Sequence, residues 1–521
     1  MARLTTSTLP SRIVGLALLA AAATAPQLVS AQDVIEPSLD GVKAACTALN
    51  DKFPDQTLYS AVDEEEYTFE AKTQYWSALN YKSPACVFVP ETAQQVSFAV
   101  KTFTETKSRF AVRGGGHMPI IGSNSIDSDG ILLSLSGLNT LELSEDTKIV
   151  SVGPGNRWRD VYDFLEPQSL AAVGGRVGGV GVPGLLLGGG ISFHSSQYGF
   201  ASDNVALYEV VLASGKVVEA TRDNEHSDLY WALRGGGNSF AIVTRFDLRT
   251  IKSPGVWVGI SQYNAADSES YLDAVYNFGQ YGSADKKAAI IPTILSLPSF
   301  GVTAYAASRF YDSTTEPATA FENFTAPVLT PVEEAYGPQS LAAYVRGVDA
   351  LQPTGLRQDF RVISMLVDRE AVSYVHNTFL SATASELSTI PDLTTSITFQ
   401  PIPEGFIKRS ACRGGGPNPQ GVDRSSAPYF WIVQNLSWQS EEYDDVLVAF
   451  AKKISKEIED GLKAKGVAGG YLYMNDAGEG QKVFQSYPPK NLARLKDIRQ
   501  EYDPKRVYTN LLVGGWKVLD A

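Results

Sequence analysis

The sequence predicts an α+β fold divided between two packed units, and three features carry that prediction. Its 521 residues exceed what a single hydrophobic core ordinarily organises. From Cys86 to about Pro254, short β-rich runs alternate with glycine-rich turns. Beyond about Gly255 the glycines thin out, and strand-like runs alternate with longer amphipathic segments.

In the first stretch, Phe110-Ala111-Val112, Ile131 to Leu135, Ile149 to Val152, Leu207 to Ala213 and Ala241 to Leu248 read as strands. Thr92 to Thr104 and Asn156 to Leu165 have helical spacing. In the second, Val256 to Tyr263 and Phe430 to Trp438 are strand-like, and Glu269 to Phe278 and Val372 to Leu380 helical. Tyr443 to Lys465 places Leu447, Phe450, Ala451, Ile454 and Ile458 on one helix face. Asn491 to Tyr502 does the same with Leu492, Leu495, Ile498 and Tyr502, and Asp503-Pro504 ends it. Arg-Gly-Gly-Gly recurs at Arg113, Arg234 and Arg413 with unlike flanks, which is recurrent turn chemistry and not a repeat.

Composition narrows the function. Hydrophobic content of 44% and charged content of 19% describe a folded soluble chain. A formal charge of −13, with no basic run, argues against nucleic acid or an anionic membrane as partner. Residues 1–31 read as a signal peptide: Arg3 and Arg12 are the positive start, Ile13 to Ala25 is apolar, and Val29-Ser30-Ala31 suits cleavage. That apolar stretch is too short for a stable membrane anchor, so secretion is expected. In a secreted chain, Cys46 and Cys86 can close a loop of about forty residues, stabilising by about 3–4 kcal/mol, with Cys412 left as a free thiol. The three Cys and four His show no metal-ligand spacing. Asn323 and Asn435 begin glycosylation motifs, usable if exposed.

Two glycine-rich segments are candidates for holding a ligand. Gly174 to Gly184, with Gly188-Gly189-Gly190, is the densest; glycine backbone admits close approach, and successive free N–H groups hold anions such as a pyrophosphate. Gly179-x-Gly181-x-x-Gly184 formally matches a dinucleotide fingerprint. However, Pro183 sits inside it, and the following run meets three more glycines before a helix can develop. In the second segment, the strand Phe110 to Val112 delivers Arg113-Gly114-Gly115-Gly116 and then His117, with Gly122 and Ser123 just beyond. Its residues leave two readings open: a surface loop histidine, or an imidazole held over a cofactor.

These segments occur in one order with Val152-Gly153-Pro154-Gly155-Asn156-Arg157-Trp158, Tyr198 to Asn204, Trp231 to Asn238, Ile242 to Phe246, Tyr473-Met474-Asn475 and Tyr502-Asp503-Pro504. The ordered set resembles the berberine bridge enzyme-like oxidoreductases of the vanillyl-alcohol oxidase superfamily, over nearly all of the mature chain. The resemblance implies a PCMH-type FAD-binding domain over 32–254 and a substrate domain over 255–465, built on an antiparallel sheet backed by helices. A C-terminal segment, 466–521, returns to the first domain. It also implies FAD bonded covalently to His117, with Arg113 to Gly116 around its phosphates. Gly122, Ser123, Gly174, Gly181, Gly184, the glycines at 188–190, Tyr198, Ile242 and Val243 are the remaining expected cofactor contacts.

Relatives with a second flavin link carry a cysteine where this chain has Val177, so one covalent bond is expected. A single link implies a lower flavin potential and a less open site, which argues against large oligosaccharide substrates. Val180 occupies a position where valine accompanies fast reaction with oxygen in plant relatives. The implied activity is oxidation of a small alcohol, sugar or secondary-metabolite intermediate by a monomeric enzyme, with O₂ reduced to H₂O₂. Flavin-dependent cyclisation and a non-catalytic binding protein are the alternatives. Tyr473 is the candidate base, Asn475 its hydrogen-bonding neighbour, and Gln400 stands where plant members carry a glutamate. His194 is expected to be a packed structural residue, and His226 and His376 surface residues. No Gly-x-Ser-x-Gly elbow supports a hydrolase.

Overall fold

A computed structural model describes residues 34–412 and 416–521; the expected signal peptide and Arg413 lie outside them. The α+β class is as expected, with three sheets. The first comprises β1 (Thr57–Leu58), β2 (Cys86–Phe88), β3 (Phe110–Arg113) and β4 (Ile131–Ser134) in the order β1-β2-β4-β3, with β2, β4 and β3 parallel. The helix Ala93–Thr106 connects β2 to β3 and buries Val96, Val100 and Phe103. Thr92 caps it by accepting from the Gln95 N–H at 3.2 Å.

The second sheet is antiparallel: β5 (Leu141–Leu143), β6 (Ile149–Val152), β10 (Ile242–Lys252), β8 (Val205–Val211) and β9 (Val217–Thr221) in spatial order, with β7 (Leu170–Ala172) also on β10. Cys46, in the helix Leu39–Lys52, is disulfide-bonded to Cys86 at the start of β2, and Cys412 is free and exposed.

The third sheet has eight antiparallel strands: β11 (Val256–Tyr263), β12 (Ala288–Leu297), β13 (Val302–Tyr311), β14 (Pro331–Glu334), β15 (Gly337–Gln339), β16 (Arg357–Leu366), β17 (Thr394–Ile402) and β18 (Tyr429–Trp438). They run in the order β14-β11-β13-β12-β17-β18-β16, with β15 on β11. Strand alternation divides its faces. Ile290 and Ile294 of β12 are buried with Ile397, Ile432 and Ile363. Against that face pack Val275 and Phe278 of Ser268–Tyr281, Val375 and Phe379 of Arg369–Glu386, and Ile454 and Ile458 of Asp444–Ala464. The intervening residues Ile291, Thr293 and Leu295 face the opposite way, into the cavity described below.

The C-terminus returns to the first sheet. Leu512 bridges Phe110 in parallel, and the Val513 N–H donates to the Phe110 carbonyl at 2.9 Å.

Two expectations are corrected. His376 is buried, because it lies on the inward side of its helix: Nε2 meets the Tyr305 hydroxyl at 2.8 Å and Nδ1 the Asn377 side chain at 2.7 Å. His226 is half-buried, with Nδ1 3.1 Å from the Tyr502 hydroxyl. The glycosylation motif at Asn435 is unusable for a related reason. The residue is within β18, lines the cavity, and donates to Gln358 Oε1 at 3.3 Å.

Candidate active site

A cavity of about 910 Å³ lies between the glycine-rich loops and the open face of the eight-stranded sheet. Gly114 to His117, Ser123, Val177, Val180, Gly181, Gly184, Gly188, Ile242 and Val243 line one side. Gln400, Tyr473 and Asn475 also line it, so the structure brings together most of the expected site.

Glycine is required where the two loops meet. A Cβ on Gly115 would overlap the Gly181 backbone, and one on Gly181 would overlap Gly115. Gly116 has φ +66, a left-handed turn that aims His117 along the cavity wall. Among the described residues, the N–H groups of Gly115 and Gly116 have no protein acceptor. Ser123 Oγ and Asn124 Oδ1 also line the cavity and are buried without partners. Buried polar groups are normally satisfied, so this set awaits a polar ligand. A dinucleotide cofactor, with anionic phosphates and many acceptors, fits it.

His117 stacks on Trp76, ring centroids 4.4 Å apart and planes 10° from parallel. Burial, helped by the nearby Arg157 charge, pulls its pKa down to about 3, so the imidazole is neutral. Arg157 in turn donates to the carbonyls of Gly179 and Gln74 and, at 2.7 Å, to Gln74 Oε1, tying three segments together beside the histidine.

At the other end, the Tyr473 hydroxyl oxygen accepts from the Ile191 N–H and from Asn475 Nδ2, both at 3.0 Å. Asn475 Nδ2 also donates to the Leu185 carbonyl at 3.0 Å, and a Cβ on Gly188 would overlap its side chain. The Tyr-x-Asn pair therefore pegs the second glycine segment in place. Burial, with the Asp476 charge adding to it, raises the Tyr473 phenol well above its ordinary pKa. A phenol so placed keeps its proton, which disfavours it as a base. Gln400 Oε1 accepts from Arg176, and Gln400 Nε2 donates to Asp476 Oδ2 at 2.7 Å and to the Trp431 carbonyl at 3.3 Å.

Six expected contacts do not line the cavity. Arg113 points into the core, where it pairs with Glu70 and Ser134. Gly174 exists to admit the Trp158 ring, which a Cβ there would overlap. Gly189 and Gly190 make left-handed turns, φ 101 and 85, packed against Phe200 and Ala201. The Gly122 N–H is held by Asn80 Oδ1 at 3.1 Å, and Tyr198 sits behind the wall with its ring 6.3 Å from that of His194. His194 is buried, 3.7 Å from Asp312 and edge-on to Phe310, as a structural residue.

Sequence reasoning missed Trp76, Arg176 and Asp476. Asp476 directly follows the recognised tripeptide and Arg176 directly precedes Val177, so both were one position from a singled-out residue. Trp76 carried no local signal.

Comparison with known proteins agrees with this geometry. Residues 84–221 match the family of FAD binding domains. The FAD-dependent monooxygenase prx3 of Penicillium roqueforti is 34% identical over 490 residues, covering 92% of this chain and 94% of that protein. The bifunctional solanapyrone synthase of Alternaria solani is 32% identical over 480 residues, covering 92% and 90%. The fold is shared with berberine bridge enzyme from Eschscholzia californica, with TM-score 0.71, 17% identity, and 91% and 99% of the two chains covered. Glucooligosaccharide oxidase from Acremonium strictum gives TM-score 0.71 at 18% identity, with 92% and 98% covered. With near full-length relatives at this identity, the chain belongs to the FAD-dependent oxidoreductases that prx3 represents, and it shares the fold of berberine bridge enzyme.

Proposed function

We propose that this flavoprotein is a secreted oxidase that removes two hydrogens from a small organic molecule, with FAD tethered to His117. The observation that carries the tether is the imidazole itself: neutral, stacked on Trp76, and set beside the glycine loops in the same cavity. A neutral ring nitrogen retains the lone pair that a covalent bond to carbon requires. FAD held here would supply the hydride acceptor and a route for the electrons to O₂, giving H₂O₂.

This chain's residues must orient the substrate and take up the proton that leaves with the hydride. Asp476 is better suited to the proton than Tyr473: it lines the cavity, and among the described residues only its Oδ2 is hydrogen-bonded. Burial raises its pKa above the ordinary carboxylate value, which strengthens it as an acceptor. Tyr473 and Asn475 position the wall. Val180 lines the same cavity and supports oxygen as the acceptor. The lining of Thr293, Ala304, Ala306, Ser308 and Thr398 side chains suits a substrate of modest polarity.

The relative named a synthase favours a second reading, the oxidative cyclisation of a secondary metabolite, and the relatives named monooxygenase make transfer of an oxygen atom an outcome to look for. Screening sugars, aromatic alcohols and polyketide-like compounds for peroxide release separates the two. Plain oxidation gives one H₂O₂ per product lacking two hydrogens; a rearranged product, or ¹⁸O from O₂ in the product, overturns it. The tether has its own check. Acid-precipitated protein stays yellow, His117→Ala releases the colour to the supernatant, and colour retained in the variant pellet overturns the assignment.

A further inference from the structure

Formal charge enters the cavity at two side chains among the described residues, Arg176 and Asp476. Neither faces the other directly. Gln400 stands between them, its oxygen accepting from Arg176 and its nitrogen donating to Asp476. Gln400 is itself buried and anchored to the Trp431 carbonyl, so the guanidinium is braced by a fixed amide. Arginine carries five N–H donors. Arg176 spends one on Gln400 and forms no salt bridge among the described residues. The Asp476 charge reaches Arg176 only across the Gln400 amide, so the guanidinium keeps donors for a carboxylate, whose geometry its planar fork matches. The sheet face beside them offers Ile260, Ile291, Leu295 and Val433, interleaved with Thr293, Ser308 and Thr398.

We infer that the substrate is an amphipathic carboxylic acid, its carboxylate received by Arg176 and its apolar body lying along the sheet. This rests on the reading of the cavity as the substrate site of a flavoenzyme. Gln400 acts as a positioning residue that keeps the fork aimed at the cavity.

The test is calorimetric titration of the purified holoprotein with 2-naphthoate and with 2-naphthamide, a neutral analogue of closely similar shape. The visible spectrum of the same sample reports flavin content. The acid is expected to bind at least about tenfold tighter than the amide, a factor equivalent to about 1.4 kcal/mol. Arg176→Gln should erase that preference without changing flavin content. Arg176→Lys, which keeps the charge, should retain part of it, and Gln400→Leu should weaken it several-fold. Equal binding of the two probes, or a preference that survives Arg176→Gln, overturns the inference. Colourless protein overturns the flavoenzyme reading, while the heats still report whether the cavity selects an anion.

Discussion

Asp359 on β16 is 8% exposed, and its Oδ2 has no hydrogen-bond partner. Burial pushes its pKa up to about 7, with Arg361 and Lys452 only partly offsetting that. A carboxyl whose folded pKa lies above its unfolded value favours the fold while protonated and loses that contribution as pH rises from about 4 to about 7. Asp359→Asn should therefore be nearly neutral near pH 4 and stabilising by up to about 4 kcal/mol near pH 8. Urea denaturation at the two pH values checks this, and an equal effect at both would show that the carboxylate is satisfied in the fold. The same physics explains which site residues were legible beforehand. His117 announced itself because a strand, three glycines and an imidazole form a local pattern. Trp76 did not, because its role exists only once the N-terminal segment is folded against that loop, with the Trp76 N–H on the Gly116 carbonyl at 3.0 Å. Arg176 and Asp476 meet across Gln400 of β17, a juxtaposition that sequence spacing does not encode.

Of the first two sheets, β3, β4, β6, β8 and β10 were visible as apolar runs and the short β1, β2, β5, β7 and β9 were not; in the third sheet β12, β13 and β16 were not singled out. In β12, Ile291 and Leu295 face the cavity while Ile290 and Ile294 are buried on the other face, so apolar residues on both faces blur the alternation that marks a half-buried strand. Pro292 within β12 also argues against a central strand. The structure accommodates it because pairing with β17 covers Thr293 to Ser296 and stops at the proline, which has no N–H to give. Long amphipathic helices such as Asp444–Ala464 were legible because their buried face repeats over several turns. The disulfide is the element-scale device most open to test. It joins the helix Leu39–Lys52 to β2 across a sequence separation of 40. Both cysteines are in the core cluster that includes Val96, Val100 and Phe103. Closing a loop of that length restricts the unfolded chain, so Cys46→Ser with Cys86→Ser should lower unfolding free energy by about 3–4 kcal/mol. Neither residue lines the cavity, so flavin content at low temperature should be unchanged. Denaturation midpoints with and without the bond measure the first expectation and the visible spectrum the second.

At the scale of the whole molecule, the site is closed by chain that arrives last. Asp503 accepts from the Val507 and Tyr508 N–H groups at 2.7 and 2.8 Å, turning the chain after the helix Pro489–Tyr502. The Tyr508 hydroxyl then donates to the Val211 carbonyl at 2.8 Å, linking the C-terminal segment to β8 of the second sheet. Leu512 and Val513 cover the edge of β3, and Gly515 and Trp516 line the same cavity as Gly114 to His117. The Trp516 indole is fixed by the Gln481 carbonyl at 3.0 Å. One short segment thus pairs the edge of the parallel sheet, clamps the second sheet and finishes the cofactor cradle. A chain ending at Arg506 should expose the β3 edge and retain below about a tenth of the parental flavin, with a larger share eluting as aggregate. A chain ending at Lys517 keeps the β3 pairing and Trp516, and should hold more flavin. Size-exclusion chromatography with absorbance read at the flavin band and at 280 nm compares the two. If the chain ending at Arg506 elutes yellow and unaggregated, the C-terminal return is a covering and not part of the cradle.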